Sequence, residues 1–518
     1  MDFRYNVRAA GARSGGRIMS KLDAGDVAVV DDVAPAPPPR GLPAWGVDDL
    51  PAPPPFSLRN VMRVIGPGAI LAATSVGGGE WLVGPAMAVR YSSSVFLIAT
   101  LAIVLQMVLN LEAIRYTLYT GEPIYGGIMR LRPGPRFWAG FWTIVGFCQL
   151  GSPALAGTAA ATLLAAFLGR LPGEDEKAVG AWITTALILA VVLILSFGGT
   201  VERMLERFAW IMLAVVFTFL LVVNVAFVPA GHWWQTLIGF FQFTGMPRPI
   251  DWALVGALAA TAGSGGLGNL TVSNWMRDKG FGMGAKVGAI PSAVGGHEVK
   301  LSHVGVVFPI NDANLSRWRD WMRYVHVDQI FVWALFCFLG MFLNINLATH
   351  VIPRGTNLQG LAAGAYQAKY LADAIWPGFW FVTLFNGFWI LFKTQLGNTD
   401  ILVRTVTDVL WMSGATTRRW SGHSVRRIYY VILIAFSVWT ICVIRLASPM
   451  TLFTILANIA GLVLAIAGVQ IFLVNRRFLP RAIRAPLWRE ALLLACSAFY
   501  AFFAFFVFRN LIRQWLGT

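Results

Sequence analysis

From residue 62 onward the chain alternates between apolar runs of 18 or more residues and short polar connections rich in arginine. About 20 apolar residues in a helix, at 1.5 Å each, cover the hydrocarbon core of a bilayer. The pattern predicts eleven spans, at about 62–90, 94–117, 137–169, 180–197, 208–228, 251–275, 327–348, 374–396, 427–446, 451–475 and 488–509. The segment 276–323 is too polar to span. Trp318 and Trp321, set among arginines, predict a short interfacial helix there, ahead of span 7. Residues 1–57 carry no apolar run. They hold Asp23, Asp26, Asp31 and Asp32 and two proline-rich stretches, 34–39 and 51–55, and so predict a disordered cytoplasmic tail. The transmembrane domain is expected over 58–510, with a short C-terminal tail at 511–518.

Two of the spans are interrupted. Span 1 contains Thr74-Ser75-Val76-Gly77-Gly78-Gly79-Glu80-Trp81, and span 6 contains Ala262-Gly263-Ser264-Gly265-Gly266-Leu267-Gly268-Asn269. Each glycine lowers helix stability by about 1 kcal/mol relative to alanine. A break at membrane depth survives only where protein or a cavity satisfies the freed backbone groups. Gly-broken spans at matching places in two halves of a chain mark the central site of a transporter. The expected unwound residues are Ser75, Val76, Gly77, Gly78 and Gly79, and Gly263, Ser264, Gly265, Gly266 and Gly268. Glu80 closes the first break. An ionisable group at this depth is a functional candidate, and Glu80 stands open as ligand, proton carrier or cap of the following half-helix. Asn269 offers an amide oxygen to a hard cation or caps the second half-helix. The alternative for both breaks is close helix packing through small residues.

Composition narrows the class. The chain is 57% hydrophobic and 13% charged, which fits a polytopic membrane protein and no soluble one. The net charge of +16 would suit a nucleic-acid partner, but its distribution fits a membrane topology instead. With a cytoplasmic N-terminus, the inside connections hold 22 Lys and Arg against 9 outside. By the positive-inside rule this places the N-terminus in the cytoplasm and the C-terminus outside, in the cytoplasmic membrane. The cysteines, Cys148, Cys337, Cys442 and Cys496, stand alone in apolar runs, without metal or disulfide spacing. Gly263-Ser264-Gly265-Gly266-Leu267-Gly268 spells GxGxxG, but no strand precedes it. There is no HExxH, nucleophile elbow or Walker sequence, which argues against a membrane enzyme. Glu112 and Arg115, one turn apart, read as a structural ion pair. Lys393, Gln395 and Asn458 are secondary cavity candidates.

These features resemble the Nramp family of proton-coupled divalent-metal transporters. Gly66-Pro67-Gly68, followed by Gly77-Gly78-Gly79-Glu80-Trp81, is similar in spacing to the family's GPG and metal-binding DPGN. Arg115 with Thr120-Gly121, Asn269-Leu270 and Gln395-Leu396-Gly397-Asn398-Thr399 resemble further family stretches. The resemblance implies an all-α integral membrane protein of LeuT-type fold, with about eleven transmembrane helices in two inverted five-helix repeats. Repeat one would cover about 58–228 and repeat two about 251–475, with broken helices 1 and 6 and an extra helix at 488–509. The family's metal-binding aspartate and asparagine fall on Gly77 and Glu80, and its methionine and histidine on Gly266 and Gly268. Losing the thioether removes the preference for soft metals, so an all-oxygen site of Glu80, backbone carbonyls and Asn269 suits Mg²⁺ or Mn²⁺.

The leading expectation is a secondary transporter of a divalent cation, with a proton as coupling ion and no resident cofactor. The alternatives are a carrier of an amino acid or other small organic solute on the same fold, and a non-transporting sensor. The expected partners are the lipid bilayer, the small cation or solute and, for the proline-rich tail, a cytosolic protein; no nucleic acid is expected.

Overall fold

The computed structural model describes residues 42–516, apart from 198, 246–248, 297–298, 357, 359–361, 415 and 446–448. The part of the expected tail at 1–41 lies outside the described residues. Eight stretches among the described residues are long and apolar enough to cross a membrane. One of these, Pro67–Thr120, turns back at Ser92–Val95 and carries spans 1 and 2. A broken span 6 and a charge-bearing span 8 also lie in the bundle.

The first five spans are span 1 (Pro67–Ser75, then a π turn Gly79–Val83 and Gly84–Tyr91), span 2 (Phe96–Thr120), span 3 (Pro135–Leu150 and Ala154–Leu168), span 4 (Lys177–Ser196) and span 5 (Val201–Phe227). The next five are span 6 (Trp252–Thr261 and Leu267–Lys279), span 7 (ending Leu335–Val351), span 8 (Phe379–Ser413), span 9 (Val425–Val443) and span 10 (Pro449–Phe478). Span 11 is Leu487–Leu516. Pro153 interrupts span 3 because it has no N–H to give the preceding turn. The Ala156 N–H beyond the kink is accepted by Gln395 Oε1 at 3.1 Å.

Burial sorts the spans into core and rim. The apolar window of span 3 is 78% buried and that of span 4 only 28%, so span 3 lies inside the bundle and span 4 faces lipid. Outward-facing Trp182, Leu189 and Leu193 on span 4 and Val431, Ile434 and Val438 on span 9 are exposed. In a bilayer such side chains meet acyl chains.

Four boundaries differ from the expected ones. Span 8 was expected at 374–396 but is a 35-residue helix, Phe379–Ser413. Asp400, Arg404 and Asp408 lower the apolar average over its second half, yet all three are buried. Arg404 Nε pairs with Asp400 Oδ2 at 2.8 Å, and Arg277 Nη1 with Asp408 Oδ1 at 2.8 Å. Asp278 bridges the two arginines. Tyr429 and Trp275 donate to Asp400 at 2.6 and 2.8 Å. Arg404 is therefore a core residue and not part of a charged connection. The interfacial helix is present as Asp312–His326 but does not stop; it continues through a π segment, Val327–Ala334, into span 7. The whole rod, Asp312–Val351, has 40 residues. At 1.5 Å each that is about 60 Å, twice the hydrocarbon core, so its charged first half projects beyond the membrane. Span 11 continues as helix to Leu516, into the expected C-terminal tail.

The fourth difference is at the N-terminus. Residues 42–57, expected to be disordered, lie against the projecting helix Asp312–His326. Gly46–Val47 pairs in parallel with Val306–Val307, and Leu50 is fully buried. A proline-rich segment cannot bury a core of its own, but its carbonyls, free of internal hydrogen bonds, can be met by donors elsewhere in the chain.

Candidate functional site

The two breaks meet at the centre of the bundle and are built differently. In span 1 only Val76 and Gly77 leave the helix; Ser75 ends the first half, Gly78, expected to be unwound, is already helical, and Gly79 begins the π turn. No glycine in this break has a positive φ. The three glycines are there for space: a side chain at Gly77 would strike Thr394, at Gly78 Phe453 and at Gly79 the Thr261 carbonyl. Span 6 is unwound over 262–266, and here Gly263, Gly265 and Gly266 take φ of 127°, 61° and 84°. Those values favour glycine on backbone grounds. Gly268, expected to be unwound, is in the helix Leu267–Lys279.

Side chains that the sequence reading did not single out satisfy the freed backbone of span 6. Gln106 Oε1 on span 2 accepts the Ser264 N–H at 2.8 Å, and its amide donates to the Ala262 carbonyl at 3.2 Å. Gln149 on span 3 accepts the Leu267 N–H at 3.2 Å and donates to the Gly265 carbonyl at 2.6 Å. Asn269 therefore does not cap this half-helix; the N-cap is Gly266. The Asn269 amide donates to Asn110 Oδ1 at 2.9 Å, and its own Oδ1 is buried without a hydrogen-bond partner.

The breaks are tied together by hydroxyls and an indole. Ser75 Oγ and Ser264 Oγ are 2.7 Å apart, and Trp333 Nε1 on the π segment donates to both, at 3.1 and 2.8 Å. Ser75 and Ser264 fall within the breaks expected from sequence. Trp333 gave no signal, because an indole in an apolar run looks like any other core residue.

Glu80 is fully buried. Its Oε2 accepts the Gly77 N–H at 2.7 Å, a cap folded back across the break, and its Oε1 has no partner. Lys393 on span 8 supplies the opposite charge. Its ammonium donates to the carbonyls of Ala73, at 2.7 Å, and Val76. These are carbonyls at the C-terminal end of the first half-helix, where the helix dipole favours a cation. Of the two, Val76 lies in the break whose carbonyls were expected to serve a metal ion, and its carbonyl is already engaged. Glu80 and Lys393 also act on each other through their charges.

Between the breaks lies a cavity of about 30 Å³, lined by Thr74, Ser75, Thr261, Ser264, Thr394 and Asn398 among others. That is space for one water or one small ion. Among the described residues no three His, Cys, Asp or Glu side chains converge as a metal cage. A cavity of about 890 Å³ lies elsewhere, between the end of span 3, the start of span 4 and Pro449, lined in part by the exposed Glu174 and Lys177.

Glu80 and Asn269 lie outside this cavity lining, as do the secondary candidates. Gln395 caps the second half of span 3 and donates to Thr399 at 3.1 Å; its neighbours Thr394 and Asn398 line the cavity instead. Asn458 donates to the Thr454 and Ala253 carbonyls, bracing span 10 on the first half of span 6. Glu112 and Arg115 pair at 3.0 Å and tie span 2 to the end of span 10 through Asn475 and to the connection after it through Ile483.

No protein-family model matches the chain, and no curated protein matches its sequence. Its structure is similar to solved ones. A variant of the manganese transporter of Eremococcus coleocola superposes with a TM-score of 0.61 at 13% identity, covering 90% of this chain and 91% of that one. The same transporter bound to an aromatic bis-isothiourea compound gives 0.58 at 13% identity, with the same coverage. Mhp1, a nucleobase-cation-symport-1 family transporter, is a looser match at 0.49 and 14% identity, covering 87% and 92%. Likeness at this identity speaks to the fold. The protein is a multi-pass membrane protein of LeuT-type fold, with two inverted five-helix repeats that open on broken spans 1 and 6.

Proposed function

We propose that the protein is a secondary transporter that moves a small divalent cation, Mn²⁺- or Mg²⁺-like, by alternating access around the paired breaks. The observation that carries this reading is Glu80. It is a fully buried carboxylate at the break of span 1 with one oxygen unpartnered. A buried carboxylate oxygen without a donor is costly, and a cation in transit would offset that cost. The 30 Å³ cavity between hydroxyls and an amide admits a dehydrated ion and is too small for an amino acid. The fold shared with a manganese transporter supports the same class of cargo. Glu80 also serves this reading as the carrier of a coupling proton. On the charge bias of its connections, the chain has a cytoplasmic N-terminus and an outer C-terminus in the cytoplasmic membrane.

Lys393 favours a second reading. A fixed ammonium on the Ala73 and Val76 carbonyls offsets Glu80 and competes with an incoming cation. A neutral or zwitterionic organic solute would meet no such repulsion, though it would need a wider cavity in another conformation.

Flux into proteoliposomes tests both. Mn²⁺, Mg²⁺ and Ca²⁺ would be offered with and without a pH gradient, to wild type and Glu80→Gln. Uptake by the wild type and its loss in a folded Glu80→Gln protein is the expected result. No cation uptake by a folded wild type, together with thermal stabilisation by an amino acid, would replace the first reading by the second.

A further inference from the structure

We infer that residues 42–57 are a strap whose proline-rich part docks in cis on an aromatic groove of the helix Asp312–His326, and that this docking latches the entry of span 1. The latch rests on the transporter reading; the docking itself does not.

The groove reads the strap through its backbone. Trp321 Nε1 donates to the Pro51 carbonyl at 2.8 Å, and Tyr324 Oη reaches the Pro54 and Pro55 carbonyls at 3.2 Å each. Arg317 donates to the Leu50 carbonyl at 2.8 Å. Asn314 accepts the Leu50 N–H at 3.2 Å and donates to Asp49 Oδ1 at 3.1 Å. Phe56 packs on the Tyr324 ring at 5.2 Å. Aromatic donors facing the carbonyls of an extended proline run are a general way to bind such segments, whose ordering cost is already low. Upstream, the Pro43 carbonyl accepts from Arg130 at 3.0 Å, and Trp45 lies over that guanidinium at 4.6 Å. Arg130 is itself paired with Glu122, just beyond span 2.

Chain continuity turns docking into a latch. The strap ends at Ser57, which caps the short helix Leu58–Val64, and Gly66 then opens span 1. The start of span 1 is held by the same rod that carries the groove: Asp328 accepts the Gly66 and Gly68 N–H groups at 2.9 and 2.7 Å. Residues 58–68 are thus fastened to one helix at both ends, while Leu58 and Met62 between them are exposed. The first half of span 1 cannot move far from span 7 unless Asp328 lets go and the strap also peels from its groove. Alternating access requires relative motion of the broken spans, so strap release would limit its rate.

The test uses the full-length protein with Trp321→Phe/Tyr324→Phe, which removes both donors and leaves an aromatic ring at each position. Hydrogen exchange of peptides covering 46–50 and 58–68 is compared with peptides from spans 9 to 11. At least tenfold faster exchange in both regions, with spans 9 to 11 unchanged, is the expected result. Mn²⁺ flux should rise several-fold in the same variant. Faster exchange at 46–50 with 58–68 unchanged would overturn the latch, and unchanged exchange at 46–50 would overturn the docking. Coupled exchange with no flux in either protein would leave the docking standing and overturn the transporter reading, and the latch with it. Leu50→Ala, made on the strap, gives the same comparison should the double variant not fold.

Discussion

Lys393 donates its ammonium to the Ala73 carbonyl, 2.7 Å away, so span 8 holds the end of a half-helix that span 1 leaves open. A lysine in this place closes the first half of span 1 with a charge that matches both the helix dipole and Glu80. The centre of the bundle thus carries one built-in positive and one negative group. Removing one partner of a buried pair strands the other, at about 3–5 kcal/mol.

A double-mutant cycle follows from this relationship. Lys393→Met should destabilise the protein by about 3 kcal/mol. Glu80→Gln combined with Lys393→Met should cost less than the sum of the two single changes, because neither charge is then left alone. Thermal unfolding followed by tryptophan fluorescence measures this, and strict additivity would show that the two charges are not coupled.

The glycines of span 1 make an ordered series. Gly79→Ala should be the most damaging, since its methyl meets the Thr261 backbone carbonyl, which cannot turn aside. Gly77→Ala meets only the Thr394 side chain, and Gly78→Ala chiefly the Phe453 ring. Thr394→Ala should therefore restore much of the stability lost in Gly77→Ala, and leave Gly79→Ala unchanged. Yield and melting temperature of the five proteins decide it.

The charge network between spans 6 and 8 should behave as a unit. Arg404→Leu leaves Asp400 and Asp278 facing one fewer cation in a buried setting, and a loss of about 3–5 kcal/mol is expected. Arg426→Leu, on the partly exposed edge of span 9, should change stability by under about 1 kcal/mol. Comparable losses in both would argue against a core role for Arg404.

Acid should loosen the strap through Glu122. Burial pushes this carboxyl up, but the Arg130 charge and its hydrogen bonds outweigh burial and hold it below its ordinary 4.5. A depressed carboxyl contributes stability above its ordinary value and loses it as pH falls through the folded-state value. Protection at 46–50, taken relative to the intrinsic exchange rate at each pH, should therefore fall as pH drops below the ordinary 4.5, and Glu122→Gln should be loose already at pH 7. A strap equally protected at pH 7 and pH 3 would rule this out.

The run lengths alone led to the membrane class, the span count and the two breaks, because lipid leaves a backbone few choices over 20 apolar residues. Glu80 was visible for the same reason: a carboxylate in such a run is either a functional group or a cap. The partners of these residues were not. Gln106, Gln149 and Trp333 stand in apolar runs like ordinary polar or aromatic exceptions, and only packing brings them to the breaks.

The sequence by itself determined what must be buried and where the helix must fail. Only the tertiary structure decided what fills each failure. It showed that Lys393 takes the Val76 carbonyl at the break, that Gly77 to Gly79 serve packing while Gly263 to Gly266 serve backbone conformation, and that charges within span 8 cancel against span 6. It also seated a proline-rich segment on a helix more than 250 residues away. The physical reason is common to all four. Hydropathy and propensity are local sums, whereas the cost of a buried charge or an open carbonyl is set by the partner that folding brings beside it.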